Sequence, residues 1–321
     1  MPICKPNYYD LGEGISCIDS GYYRPGLAAS YLMIQGEQAA FIDTGTYHSV
    51  PTLLELLKLK GIKQENVAYV MPTHAHLDHA GGAGELIRRL PNATLIAHPR
   101  AARHLIDPEK LTAGALAVYG QAEFTKGFGR LVPLPEHRVI VIEDGFSLDF
   151  NGRPLVFLDT PGHARHHYSV FDEVSEGFFT GDTFGLSYPE LDCGSTPLIF
   201  PSTTPVQFDP DAWHYTIDRY LEFNPARVFL THFGMVMEVP KLADALRRGI
   251  DAFVTLATSA QCPVTDRHQH LLKGITEYLI TEARRLNPNV SAEFCRALYA
   301  FDLELNTQGL EVWLDRQKQG S

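Results

Sequence analysis

Cysteine is scarce in this 321-residue sequence: Cys4, Cys17, Cys193, Cys262 and Cys295 are odd in number, widely scattered and never spaced C-x-x-C. That argues against a disulfide framework and against a thiolate metal site, and it fits a reducing, cytoplasmic compartment. Long hydrophobic runs are missing as well. No stretch approaches the roughly 18 apolar residues of a membrane span, and the nearest candidate, 253–264, is broken by Ser, Thr and Gln. The N-terminus lacks a basic start followed by an apolar run, so no secretory leader is expected. Basic charge is in short supply, 27 Lys and Arg against 38 Asp and Glu, for a net charge of −11. Residues 241–321 hold 10 of each sign, so the whole acidic excess lies in the first 240. An acidic body of this kind repels phosphate backbones, and neither nucleic acid nor membrane is an expected partner.

What remains is an ordinary globular composition, 45% hydrophobic and 20% charged, in a chain long enough to bury a sizeable core. From residue 29 to about 230, short β-type runs alternate with helical patterns. The runs are 30–34, 39–42, 67–71, 94–97, 139–142, 155–158, 169–171, 177–179 and 227–230. Gly36, Glu37 and Gln38 read as a hairpin turn. Helical spacing marks 50–59, with Ser49 available as an N-cap, and 84–90. Residues 98–135 break this rhythm and read as a partly helical insertion. From residue 240 the apolar period becomes 3.6. Leu242, Ala245, Leu246, Gly249 and Phe253 mark one face; Leu272, Ile275 and Leu279 a second; Phe294, Leu298, Phe301 and Leu305 a third, with Gly309 separating a short last helix that carries Trp313. The expected organisation is a mixed α/β domain over 1–240 and an all-helical extension over 241–321, whose apolar content reads either as folded onto the main domain or as a lid, a homodimer surface or both.

The chemistry concentrates in Thr73-His74-Ala75-His76-Leu77-Asp78-His79, between a β-rich run and a helix. Four ligand-type side chains in six residues are expensive to bury unpaired, and they call for a cation. Alternate residues of an extended segment share a side, so His74 and His76 point at one ion while Asp78 and His79 turn to a neighbouring one. His163, Asp182 and His232 each follow an apolar strand, the position from which a sheet delivers polar groups to a shared edge. The other histidines carry weaker signals. His166 and His167, just past His163, are candidates to line a substrate pocket, as is Tyr188 after Asp182. His98, His104, His214, His268 and His270 read as surface, cap or exposed helical residues. Ser195 and Cys193 lack a base at a motif spacing and are not nucleophiles.

These residues resemble the metallo-β-lactamase fold hydrolases. His74-x-His76-x-Asp78-His79, followed in order by His163, Asp182 and His232, is similar to that superfamily's metal set, over roughly residues 15–235. Asp43, in Phe41-Ile42-Asp43-Thr44-Gly45, matches the acidic residue at the end of an early strand. The resemblance implies an αββα sandwich with a dinuclear site on one edge. His74, His76 and His163 would hold the first ion, Asp78, His79 and His232 the second, and Asp182 would bridge them. Asp43 would orient a ligand histidine from behind. Thr180-Gly181-Asp182-Thr183-Phe184 looks more like the glyoxalase II branch than like antibiotic-degrading lactamases, although Gly185 stands where lactone hydrolases carry a tyrosine.

Two ions about 3.5–4 Å apart would share one water and generate a bridging hydroxide near neutral pH. That nucleophile suits a small ester, thioester or lactone, with Asp78 shuttling a proton to the leaving group. Five imidazoles and two carboxylates favour zinc, with iron or manganese as alternatives. Two other readings stay open: a ligand-binding or regulatory protein with little turnover, and a di-iron redox protein, which the resemblance disfavours because such relatives carry Glu where His76 stands.

Overall fold

The computed structural model of the protein describes residues 6–194, 196–203, 206–259 and 263–319. Cys4, Ser195 and Cys262 lie outside the described residues. Two compact units divide the chain: Met1–Asp159 with His166–Gly181 and Pro225–Met235, and Thr160–Arg165 with Asp182–Asn224 and Val236–Ser321.

The first sheet follows chain order: β1 (Tyr8–Gly12), β2 (Ile15–Asp19), β3 (Ala29–Gln35), β4 (Gln38–Ile42), β5 (Val67–Met71), β6 (Thr94–Ala97) and β7 (Val139–Val141). It is antiparallel from β1 to β4 and parallel from β4 to β7. The expected hairpin is present, but Gln35 pairs with Gln38, so its loop is Gly36 and Glu37 alone and Gln38 opens β4. A second sheet is ordered β13 (Gly234–Val236), β12 (Arg227–Leu230), β11 (Gly177–Phe179), β10 (Tyr168–Asp172), β9 (Arg153–Asp159) and β8 (Phe146–Phe150). Neighbours from β8 to β11 are antiparallel, and β11 and β12 are parallel.

Alternation along the strands builds two apolar layers in the first unit. Tyr31, Met33, Ala40, Ile42, Met71 and Ile96 face Phe150, Leu155, Phe157, Tyr168, Phe179 and Phe229 between the sheets. Their neighbours on the other face, Leu32, Phe41, Val70 and Leu95, pack under α1 (Val50–Leu59), α3 (Ala83–Arg89) and α4 (Pro99–Ile106). The single turn α2 (Leu77–Ala80) precedes α3, and α5 (Glu109–Gly127), interrupted at Gly120, follows α4. Each fully buried large apolar side chain contributes roughly 1.5–3 kcal/mol, so the inter-sheet layer fixes strand register. Arg153 and Asp172, both fully buried, close the sheet's side with a bidentate pair at 2.7 and 2.5 Å.

Several elements differ from the sequence reading. Ser49 does not cap α1: its hydroxyl donates to Ser20 O at 2.7 Å and accepts from Thr46 N at 3.1 Å, fastening a 3-10 turn instead. β1, β2, β8 and β13 were not anticipated. His98, by contrast, is the helix cap that the sequence suggests, its Nδ1 accepting from Arg100 N at 3.0 Å while Nε2 lies 3.0 Å from Asp159.

The second unit is helical: α6 (Pro210–Glu222), α7 (Val239–Thr258), α8 (Val264–Leu286), α9 (Ala292–Leu298) and α10 (Ala300–Gln319). Two corrections fall here. Phe294 and Phe301 are exposed, and the helix is interrupted at Tyr299, so the expected third stripe is not a buried face. Nor does Gly309 end a helix; α10 runs through it. A Cβ on Gly309 would lie 2.6 Å from Thr203 Oγ1 and closer still to the Thr203 carbonyl, so glycine serves close approach rather than termination. Polar groups dock the same helix: Thr203 N donates to Asn306 Oδ1 at 2.7 Å, and the Tyr188 hydroxyl donates to Asp302 at 2.9 Å.

Gly309→Ala should lower the melting temperature, reversing the gain of about 1 kcal/mol that helix propensity alone predicts; an unchanged or raised value in thermal denaturation would contradict the close-packing account. His268 on α8 lies 3.0 Å from Glu311 and 3.3 Å from Glu304 on α10. The Glu311 hydrogen bond raises its pKa above the usual 6.5 against the opposing pull of burial. Its stabilisation is full below pH 6.5 and is lost as pH rises through the raised value. His268→Gln should therefore flatten the decline of melting temperature on the alkaline side of pH 6.5, and a decline as steep as in the parent would refute the assignment.

Candidate metal centre

In the first unit, strand ends deliver the polar residues. β4 runs out into Asp43, β5 into Thr73 and His74, and β12 into Thr231 and His232. Asp43 is fully buried and ties these ends together. Its Oδ1 accepts from Thr73 N at 2.7 Å and Thr73 Oγ1 at 2.9 Å; its Oδ2 accepts from Thr231 Oγ1 at 2.7 Å and lies 2.8 Å from His79 Nδ1. Asp43 thus stands behind His79 rather than beside an ion.

That contact commits Nδ1 of His79, and Nδ1 of His232 is committed in the same way, 2.6 Å from Leu27 O. Both rings therefore present Nε2. These nitrogens converge on Asp78, with Oδ2 3.8 Å from His79 Nε2 and 3.3 Å from His232 Nε2. One ligand atom from each of Asp78, His79 and His232 lies within 4.8 Å of the others. Two outward-anchored imidazoles and a carboxylate at this spacing fit a divalent cation. Beside them, His74 Nε2 and His76 Nδ1 are 2.7 Å apart, and the His74 and His79 rings are 4.1 Å apart.

His163 and Asp182 belong to the second unit, where His163 Nε2 lies 3.4 Å from Asp182 Oδ2. The other ring nitrogen, Nδ1, is 2.7 Å from Ser202 O, the same outward anchoring seen at His232. Trp213 walls this histidine at 6.2 Å between ring centroids, its own indole N–H donating to Thr183 O at 2.7 Å.

The expected substrate contacts divide. His166 is half-buried, 5.3 Å from the His76 ring, and retains an accessible edge. His167 is fully buried and stacked on His74 at 4.7 Å, and Tyr188 is 1% exposed with its hydroxyl on Asp302. Closeness in sequence to the candidate metal ligands put both among the candidates, and both are buried side chains packed against their neighbours. Thr73 and Thr231 were missed. Each immediately precedes a histidine, as Thr73-His74 and Thr231-His232, and that repeated pair was the available signal. Leu27 and Ser202 act through backbone carbonyls, which leave no mark in a sequence.

With this geometry in place, comparison with known proteins settles the class. Residues 23–232 match the model of the metallo-beta-lactamase superfamily, and the chain belongs to that superfamily. Its two sheets and accompanying helices are the fold of that family. Over 236 residues it is 29% identical to the metallo-beta-lactamase fold-containing protein ST1585 of Sulfurisphaera tokodaii, covering 72% of this chain and 82% of that one. The solved structure of ST1585 from Sulfolobus tokodaii matches 93% of this chain and 98% of its own, with a TM-score of 0.66 at 23% identity. Acyl-coenzyme A thioesterase MBLAC2 of Bos taurus is 26% identical over 192 residues, 54% of this chain and 64% of that protein. A hydroxyacylglutathione hydrolase of Synechocystis is 27% identical over 176 residues, 54% of this chain and 51% of its own.

Because Asp43 fixes His79 through a single contact, Asp43→Ala should weaken zinc binding about 10–100-fold, with a lowered melting temperature because Thr73 N, Thr73 Oγ1 and Thr231 Oγ1 lose their acceptor. Competition with a chromophoric chelator measures this, and parental affinity in a folded variant would remove Asp43 from the metal centre.

Proposed function

We propose that this protein is a metal-dependent hydrolase that cleaves a small ester, thioester or lactone at a dinuclear, zinc-loaded centre. The observation that carries the reading is the convergence of Asp78, His79 and His232, with the far nitrogens of both rings anchored outward. In this reading His74, His76 and His163 would hold the other ion, and Asp182 would serve both. When bound, divalent ions supply Lewis acidity and bring the pKa of a coordinated water toward neutrality.

The chain's own residues do the rest. Asp43 and Leu27 O hold the imidazoles in the tautomer that offers Nε2. Asp78 keeps 22% of its side chain exposed while His79 is fully buried, so Asp78 is the group placed to pass a proton to a departing alkoxide or thiolate. His166 is the remaining accessible imidazole at the rim. Relatives named as an acyl-coenzyme A thioesterase and a hydroxyacylglutathione hydrolase support testing thioesters first. Residues 1–240 would form the catalytic domain and 241–321 a helical extension with a homodimer surface, acting in the cytoplasm. Among the described residues no helix is long and apolar enough to cross a membrane.

Elemental analysis of the purified chain should give about two zinc per chain, and a panel of thioesters, esters and lactones should show turnover that a chelator abolishes and zinc restores. His76→Ala and Asp182→Asn should each lower kcat/KM by about a hundredfold or more. Full activity in either variant, or a chain that takes up no metal after incubation with zinc, iron or manganese, would overturn the reading.

A further inference from the structure

A cavity of about 310 Å³ opens within the second unit, and it shares no residue with the candidate metal centre. Three segments enclose it: the first half of α7, the last turn of α8 and the stretch 196–199. Its floor is apolar. Leu198, Ile199 and Leu242 are buried, and Ala245 and Leu286 are half-buried beside them. The wall behind is firmly held. Leu186 N donates to Phe200 O at 2.8 Å and Phe200 N to Leu186 O at 3.1 Å, while a Cβ on Gly185 would lie 3.0 Å from both Ile199 Cγ2 and Leu246 Cδ1. α7 approaches the same stretch as closely, since a Cβ on Gly249 would lie 2.8 Å from Pro201 Cδ. The recess therefore sits among close-packed segments, the preformed shape that suits a small ligand.

Charge of both signs borders this floor. Lys241, Arg248 and Arg285 supply three cations, Asp244 and Glu282 two carboxylates, which leaves a single positive charge over apolar surface. The helix dipoles do not decide the sign, because the first turn of α7 and the last turn of α8 meet here with opposite partial charges. Most of the charged groups already have partners. Arg285 lies 3.0 Å from Glu282, Lys241 3.0 Å from Glu238, and Asp244 3.5 Å from Arg247 just outside the lining. Arg248 makes no hydrogen bond or ion pair among the described residues, so its guanidinium keeps its donors for what enters the recess.

We propose that this cavity binds a monoanionic carboxylate with an apolar chain of moderate length, the carboxylate on Arg248 and the chain on the floor formed by Leu198, Ile199 and Leu242. Guanidinium and carboxylate are matched planar partners. A single net positive charge suits one carboxylate, whereas a doubly charged phosphate or a polyphosphate would meet Asp244 and Glu282 at close range. At roughly 30 Å³ for each water-sized group, the volume takes about ten heavy atoms, the size of octanoate. The site goes beyond the hydrolase reading and does not depend on it, since none of its residues takes part in the chemistry proposed above.

Titration calorimetry of the purified full chain with octanoate tests this. Binding should be saturable, Arg248→Glu should weaken it about tenfold or more, and Ala245→Trp, which fills the recess from α7, should remove it, each variant keeping the parent's melting temperature in the absence of ligand. Asp244→Asn should act in the opposite direction and tighten binding, a gain that a damaged fold does not produce. Octanol, of the same length and without charge, should bind about tenfold more weakly or worse, and inorganic phosphate should not compete. Absence of saturable octanoate binding, or equal affinity in the parent, Arg248→Glu and Ala245→Trp, would overturn the site. Equal binding of octanol, or displacement of octanoate by phosphate at similar concentrations, would overturn the carboxylate as its ligand.

Discussion

One buried carboxylate organises the first unit. Burying the charge of Asp43 costs several kcal/mol unless donors replace the lost water, and here the Thr73 amide, the Thr73 and Thr231 hydroxyls and the His79 ring surround it. Those partners come from segments far apart in sequence, so the carboxylate is satisfied only when β4, the β5–α2 connection and the end of β12 are all in place. Strand pairing makes that possible. Ile42 and Met71 are partners in the parallel β4–β5 ladder, Asp43 N donates to Met71 O, and Ala29 N donates to Thr231 O at 2.8 Å. The orientation of His79 is thus a consequence of sheet register as much as of local chain geometry.

The strands whose bounds are fully legible from sequence are mostly buried apolar runs inside a sheet. β5, β6, β11 and β12 have the bounds expected, because continuous apolar runs such as Val228-Phe229-Leu230 have few alternatives. β1 and β8 lie at sheet edges with exposed positions in every turn of the pleat, so their patterns, Tyr8–Gly12 and Phe146–Phe150, carry half the signal. Ser16 and Asp19 hide β2 although all five of its residues are buried. The last helices misled for a related reason: α10 buries Asp302, Asn306 and Thr307 among its contacts, and a count of apolar residues at helical spacing reads those positions as solvent-facing.

At the site the division is between candidate metal ligands and the residues that hold them. The first kind is legible because imidazoles and carboxylates crowded into one turn cost too much to bury without a cation between them. The second kind mostly is not. Thr73 and Thr231 are threonines like any other until Asp43 is known to lie between them, and Leu27 acts through its carbonyl oxygen alone. Exposure is equally invisible, and His166 and His167, adjacent in sequence, differ in it: the first is half-buried and the second fully buried.

The second unit repeats the same logic with different parts. His163 is anchored by the carbonyl of Ser202, and the next residue, Thr203, is fixed by Asn306 of α10 through its amide and by the Asn306 carbonyl through its hydroxyl. Gly309, one turn further along, lets the helix approach that segment closely enough for both bonds to form. A continuous set of contacts therefore runs from the last helix to the histidine ring: Asn306 to Thr203, Thr203 to its neighbour Ser202, and Ser202 to Nδ1. The apolar stripes of the extension account for its stability. Its polar positions account for its place in the unit, because a helix that docks by Asn306 and Asp302 fixes the segments between Asp182 and Thr203, and with them the orientation of the His163 ring.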